Sequence, residues 1–127
     1  MNAVLLDTHA WVWRLSKDDR LSSRAAAAIT AADQVFVSPV SFFEIAQKVR
    51  IGKWPEMESH AARLAGLPSQ QGGLVIARDP EMCIAAGLIE WIHRDPFDRL
   101  LAATAQHHRL PLVSADAIFD GIVTRVW

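Results

Sequence analysis

Short apolar runs of strand length alternate with stretches of helical period along this chain, and that alternation restricts it to an α/β fold with a mostly parallel sheet. The expected strands lie at residues 3–6, 35–38, 74–77, 112–114 and 122–126, and the first four are apolar enough to be covered on both faces. Parallel neighbours need crossover helices, and the intervals are long enough to hold them. Ser22 caps an alanine-rich helix over 23–32, and Ser41 caps a helix over 42–50 that Gly52 can terminate. Pro55 opens a helix to about residue 64, Pro80 opens another to about residue 88, and Asp95-Pro96 make the cap and first turn of a helix over 97–108. Residues 66–73 read as a surface connection. A chain of 127 residues suits one domain, 1–127, that buries roughly two-thirds of its unfolded surface.

Composition narrows the partners. A net charge of −1 gives no overall attraction to nucleic acid, so any such contact must come from a local patch such as Lys48, Arg50 and Lys53. The single cysteine, Cys83, rules out an intrachain disulfide and a multi-cysteine zinc site, and is expected to be a small core residue. No apolar run approaches the length of a membrane span, and the first residues lack a basic stretch ahead of an apolar one. The expected location is the cytoplasm.

Four carboxylates stand out against this frame. Asp7 closes the first strand, Asp116 follows the fourth, and Glu44 and Asp98 lie in the first turns of two strongly patterned helices. All four map to the carboxyl edge of the expected sheet, where open α/β folds bind ligands. Each also has a plain structural explanation. Asp7 can cap a helix starting near His9, and Asp116 can serve a turn. Ser41 and Glu44 fit a capping box, with Lys48 as an i, i+4 partner of Glu44. Asp98 can answer a helix dipole or pair with Arg94 or Arg99. Taken one at a time these explanations suffice, but they do not account for four acids at one edge.

Other candidates carry less. Asp79-Pro80 reads as a helix entry, and Asp120 as a turn residue that is at best a peripheral ligand. The histidines show no zinc spacing, and only His93 lies near the carboxylates in sequence. GxGxxG, GxxxxGK[ST] and GxSxG are absent, which removes dinucleotide, P-loop and hydrolase-elbow chemistry. Trp11 and Trp13, two apart, cannot share a helix face, so one belongs to the core and the other to an interface.

Four blocks together carry a family resemblance: Leu5-Leu6-Asp7-Thr8-His9, Glu44-Ile45-Ala46-Gln47-Lys48 with Ile51-Gly52-Lys53, His93-Arg94-Asp95-Pro96-Phe97-Asp98-Arg99-Leu100-Leu101-Ala102, and Val113-Ser114-Ala115-Asp116. In this order they resemble PIN-domain ribonucleases, and among them the VapC-type toxins of toxin–antitoxin pairs. The resemblance implies a three-layer α/β/α fold with a five-stranded parallel sheet, a homodimer, an RNA substrate and an antitoxin whose segment blocks the site. It places the acidic site at Asp7, Glu44, Asp98 and Asp116, with Thr8 and Ser114 as hydroxyl contacts and Asp95 as a helix cap.

The residues support the chemistry independently. Hard carboxylate oxygens suit Mg²⁺ or Mn²⁺, and clustered carboxylates repel one another unless a cation binds. Asp7 and Asp98 are the expected direct ligands, Asp116 a ligand or water-positioning group, and Glu44 a ligand through water or a general base. A phosphoaspartyl enzyme fits less well, because Asp7-Thr8-His9 lacks the second acid of a DxD pair. The competing class is a non-catalytic RNA-binding or protein-interaction module, since one fold hosts many functions.

Overall fold

The computed structural model describes residues 2–77 and 79–127. Its elements run β1 (Ala3–Leu6), α1 (Thr8–Leu15), α2 (Ser23–Ala31), β2 (Gln34–Val37), α3 (Pro39–Arg50), α4 (Glu58–Ala61), α5 (Leu67–Gln70), β3 (Leu74–Val75), α6 (Pro80–Leu88), α7 (Pro96–His108), β4 (Leu112–Val113) and β5 (Arg125–Val126). Single 3₁₀ turns lie at Pro55–Met57, Leu64–Gly66 and Ala117–Phe119. All pairings between these strands are parallel, and the sheet order is β3-β2-β1-β4-β5.

The central strand shows why its sequence is continuously apolar. Val4 and Leu6 enter one core with Trp11 of α1, Ile29 of α2, Ile45 of α3 and the segment around Met57 and Leu67. Leu5 points the other way, into a second core with Leu101 and Ala105 of α7 and with Phe119. Leu112 and Val113 of β4 divide between the two cores in the same manner, which follows from the two-residue period of a strand. Helices therefore cover both faces, giving three layers, and α6 packs on the outside of α7 through Met82, Ala86 and Ala103.

Several local expectations change. The third run contracts to the two-residue edge strand β3, whose Leu74 and Val75 remain 43% and 47% exposed because an edge strand has one neighbour and little cover. The last run forms a strand only over Arg125–Val126, with Val123 in an isolated bridge to Asp120. The helix expected from Pro55 breaks after Ala61, and short turns instead drop Met57, Leu64 and Leu67 into the core. Residues 66–73 are thus not merely a surface connection, since α5 buries Leu67 and Pro68. Cys83 is exposed, not a core residue, because the buried stripe of α6 is narrow and takes in only Met82 and Ala86.

The most consequential change is at α3. This helix begins at Pro39, with Ser38 Oγ accepting from the Val40 N–H at 3.2 Å, so Ser38-Pro39 is the cap and first-turn pair. Ser41 is buried one turn inside, and Glu44 makes no capping box with it. The far end behaves as expected: Gly52, at φ +78°, closes α3 with its N–H on Val49 O at 3.0 Å and the Lys53 N–H on Lys48 O at 2.8 Å. That pair of bonds is a Schellman motif, which needs a left-handed residue at this position.

Candidate active site

From β1 the chain moves outward through β2 to β3, then returns to place β4 on the opposite side of β1. Connections from β1 and β4 diverge at their carboxyl ends, and such a switch point opens a crevice in a parallel sheet. Asp7 leaves β1 at this crevice and Asp116 follows β4. The strand order therefore brings together two acids separated by most of the chain.

Asp7 is 6% exposed and caps α1, its Oδ1 accepting from the Ala10 N–H at 2.7 Å. Burial pushes its carboxyl up to about 6, against hydrogen bonds from the Ser114 hydroxyl and the Ala10 N–H, and the charges of Asp98 and Glu44 add to the rise. Asp116 caps the following 3₁₀ turn through the Ile118 N–H at 3.0 Å and remains exposed. Its own N–H donates to Ser114 Oγ at 3.1 Å, so the buried Ser114 hydroxyl connects the two acids.

Asp98 comes from the first turn of α7, which Asp95 caps by accepting the Asp98 N–H at 3.0 Å. Neither Arg94 nor Arg99 pairs with it. Asp98 Oδ2 instead lies 2.6 Å from His93 Nε2, while burial raises its carboxyl above the usual range and the His93 hydrogen bond opposes that rise. Arg99 turns away and spends all five guanidinium donors on backbone carbonyls. Nε reaches Ala86 O, one terminal nitrogen reaches Trp91 O and His93 O, and the other reaches Gly87 O and Ile89 O, at 2.6–3.2 Å. One cation thereby satisfies carbonyls at the end of α6 and fixes the segment that carries His93 to Asp98.

Glu44 is delivered by α3. A buried hydroxyl pair, Thr8 and Ser41 at 2.9 Å, holds this helix to α1, and Phe43 packs against Phe97 of α7 with ring centres 5.7 Å apart. Lys48 Nζ sits 3.4 Å from the Glu44 carboxylate as the i, i+4 partner expected from sequence.

All four predicted acids line a single cavity of about 160 Å³, together with Thr8, His9, Lys48 and Asp95. Asp79 and Asp120 lie outside it: Asp79 caps α6 through the Met82 N–H at 2.9 Å, and Asp120 pairs with Arg125 at 2.7 Å. Sequence reasoning passed over His9, whose available signal was its place in the first turn after Asp7. It also assigned Asp95 to capping alone, whereas Asp95 both caps α7 and lines the cavity.

The family in question implies a divalent cation, and the donor set can be judged for one. Among the described residues no three carboxylate, imidazole or thiolate side chains stand close enough together to hold an ion directly. The cavity instead offers separated hard oxygens, which suits a hydrated Mg²⁺ or Mn²⁺ that keeps several waters and uses one or two carboxylates directly. With no cysteine at the cavity and both histidines at its margin, the set fits a hard cation better than zinc.

Comparison with known proteins agrees with this architecture. The PIN domain model matches residues 4–123, and the chain belongs to the PIN domain family. It is 30% identical over 125 residues to Ribonuclease VapC22 of Mycobacterium tuberculosis, covering 91% of this chain and 88% of that protein. Two solved structures share its fold. VapBC2 from Rickettsia felis, bound to a DNA fragment from its promoter, gives a TM-score of 0.70 at 14% identity over 97% of this chain and 96% of that one. A toxin–antitoxin complex from Klebsiella pneumoniae gives 0.64 at 19% identity over 98% and 96%.

Proposed function

We propose that this chain is a VapC-type endoribonuclease toxin that hydrolyses RNA phosphodiester bonds at Asp7, Glu44, Asp98 and Asp116 with Mg²⁺ or Mn²⁺. The observation that carries the reading is the meeting of four acids, from four separate segments, in one crevice at the sheet's switch point. An acidic cavity repels an anionic phosphodiester, so these residues serve RNA chemistry only in company with a cation. Such an ion, when bound, supplies positive charge to the phosphate oxygens and makes water a better nucleophile.

The chain's own residues divide the remaining work. Asp7 and Asp98 hold the ion, Asp116 holds it or orients a water, and Glu44 acts through water or takes the proton of the attacking water. Lys48 and His93 fix the Glu44 and Asp98 carboxylates in place. The names of the relatives support an antitoxin partner that neutralises the site. A homodimer working in the cytoplasm completes the reading, and among the described residues no helix is long and apolar enough to cross a membrane.

Total RNA incubated with the purified chain tests this. Cleavage is expected with Mn²⁺ or Mg²⁺, and none with EDTA or with Asp98→Asn. Wild-type protein that binds RNA but leaves it intact under every divalent ion points instead to the non-catalytic module. Cleavage undiminished by EDTA removes the metal from the proposal.

A further inference from the structure

Arg99 follows Asp98 directly in the chain but does not line the acidic cavity, and its five donors go to backbone carbonyls, none to a carboxylate. Capping the end of α6 explains two of those bonds, to Ala86 O and Gly87 O in its last turns. It does not explain the other three. Ile89, Trp91 and His93 are every second residue of the stretch beyond the helix, and they are partly buried while Glu90, Ile92 and Arg94 between them are exposed. Such alternation is the pattern of a strand. Yet among the described residues 90–94 make no hydrogen bond from backbone to backbone, so no neighbouring strand holds this stretch. The planar guanidinium fork stands in the place of one. A lysine could not replace it, because an ammonium has three donors at one point where the fork has five in a plane.

What the stretch delivers is His93. Its ring packs on Trp91 at 5.0 Å, Trp91 packs on Phe119 at 5.7 Å in the turn that Asp116 caps, and Nε2 lies 2.6 Å from Asp98 Oδ2. A partner that hydrogen-bonds a ligating carboxylate fixes how its oxygens face the ion, and its loss lowers metal affinity by about 10–100-fold.

We propose that Arg99 is a positioning residue for the divalent ion. By fixing the carbonyls of Ile89, Trp91 and His93 it holds the His93 imidazole against Asp98, and so sets how Asp98 presents its oxygens. Arg99 reaches the ion's site only through His93, which makes the two side chains a relay and not two separate contributions. The inference rests on Asp98 as a ligand of the ion.

The test is calorimetric titration of Mn²⁺ into the protein without RNA, at a single neutral pH, for the intact chain, Arg99→Lys, His93→Ala and the double variant. Arg99→Lys keeps the charge and loses the fork, so a change there comes from geometry. Each single variant should bind Mn²⁺ about tenfold more weakly. The double variant should be no weaker than His93→Ala, since a relay already cut cannot be cut again. Cleavage of RNA by Arg99→Lys should return when Mn²⁺ is raised about tenfold, which a general loss of structure would not allow. Wild-type affinity in either single variant, or losses that multiply in the double variant, would overturn the relay while leaving the metal site in place. Circular dichroism verifies folding. An Arg99→Lys chain that stays unfolded would make Arg99 a residue of the fold at large and overturn its local role, and unchanged Mn²⁺ affinity in folded His93→Ala does so independently. If the intact chain itself binds no Mn²⁺, the metal reading fails and the relay with it.

Discussion

Asp7 and Asp116 follow neighbouring strands, line one cavity and each cap the helical turn that comes next, yet their environments are opposite. β1 lies at the centre of the sheet with a pairing partner on each side, so the turn leaving it is enclosed by α1, α3 and the 114–116 segment. β4 is next to the edge and its loop faces solvent. The same residue type in the same local motif is therefore a buried, destabilising acid in one place and a solvated turn residue in the other. Distance from the sheet's centre decides which.

The comparison breaks first at activity. Asp7→Asn should lower RNA cleavage by more than about 100-fold, since loss of even a supporting partner of a metal ligand costs ~10–100-fold. Asn still caps a helix, so the fold should hold. Unchanged cleavage in a folded Asp7→Asn protein would show that Asp7 is only a cap.

Stability should move the other way. With its folded value at about 6 against 3.8 unfolded, Asp7 binds its proton more readily in the native state. Its contribution is favourable below about pH 4, declines as pH rises, and becomes a full cost above about pH 6, on the order of 3 kcal/mol. Urea unfolding should therefore find Asp7→Asn more stable than wild type at pH 7 and no more stable at pH 4. A gain that is the same at both pH values would mean that something other than ionisation is responsible.

Mn²⁺ should raise the wild-type melting temperature at pH 7, by about 2.7 kcal/mol of added stability at a hundredfold excess over Kd. The effect should shrink in acid as protons compete for the same oxygens. It should shrink more in Asp7→Asn than in Asp116→Asn. Calorimetry detecting no binding of either ion would remove the proposed metal centre.

Ser114→Ala cuts the hydroxyl that joins the two acids. It should cost about 1–2 kcal/mol, as expected for a buried hydrogen bond. Because the Ser114 hydroxyl is among the groups holding Asp7 down, the pH at which wild-type stability declines should shift upward. The smallest effect belongs to Asp116→Asn, where an exposed cap keeps its acceptor and stability should change by no more than about 0.5 kcal/mol while cleavage falls. A large loss of stability there would erase the contrast with Asp7.

Much of this arrangement was legible locally. The Ser22 cap of α2, the Asp95-Pro96 entry to α7 and the Gly52 end of α3 all appear as expected, because capping depends on residues within one turn. The apolar run 3–6 announced a strand covered on both faces, and the four acids could be assigned to its carboxyl edge. Ser41 shows where local reading stops. It begins a valid capping-box pattern with Glu44, but Ser38-Pro39 starts the helix earlier and Ser41 is committed to Thr8, far away in sequence. Likewise, nothing near Asp98 in sequence distinguished His93 from Arg94 or Arg99 as its partner.

By itself, then, the sequence determined element types, the strand-following positions of Asp7 and Asp116, and an acid in each of two helices at the same edge. Only the tertiary structure decided that β4 lies beside β1, so that those acids meet, that Asp7 is buried while Asp116 is not, and that Trp13 and Trp54 both meet His9 while Trp11 enters the core. The reason is range. Caps and periodicity are set by neighbours along the chain, whereas strand order and burial are set by contacts between segments that share no sequence neighbourhood.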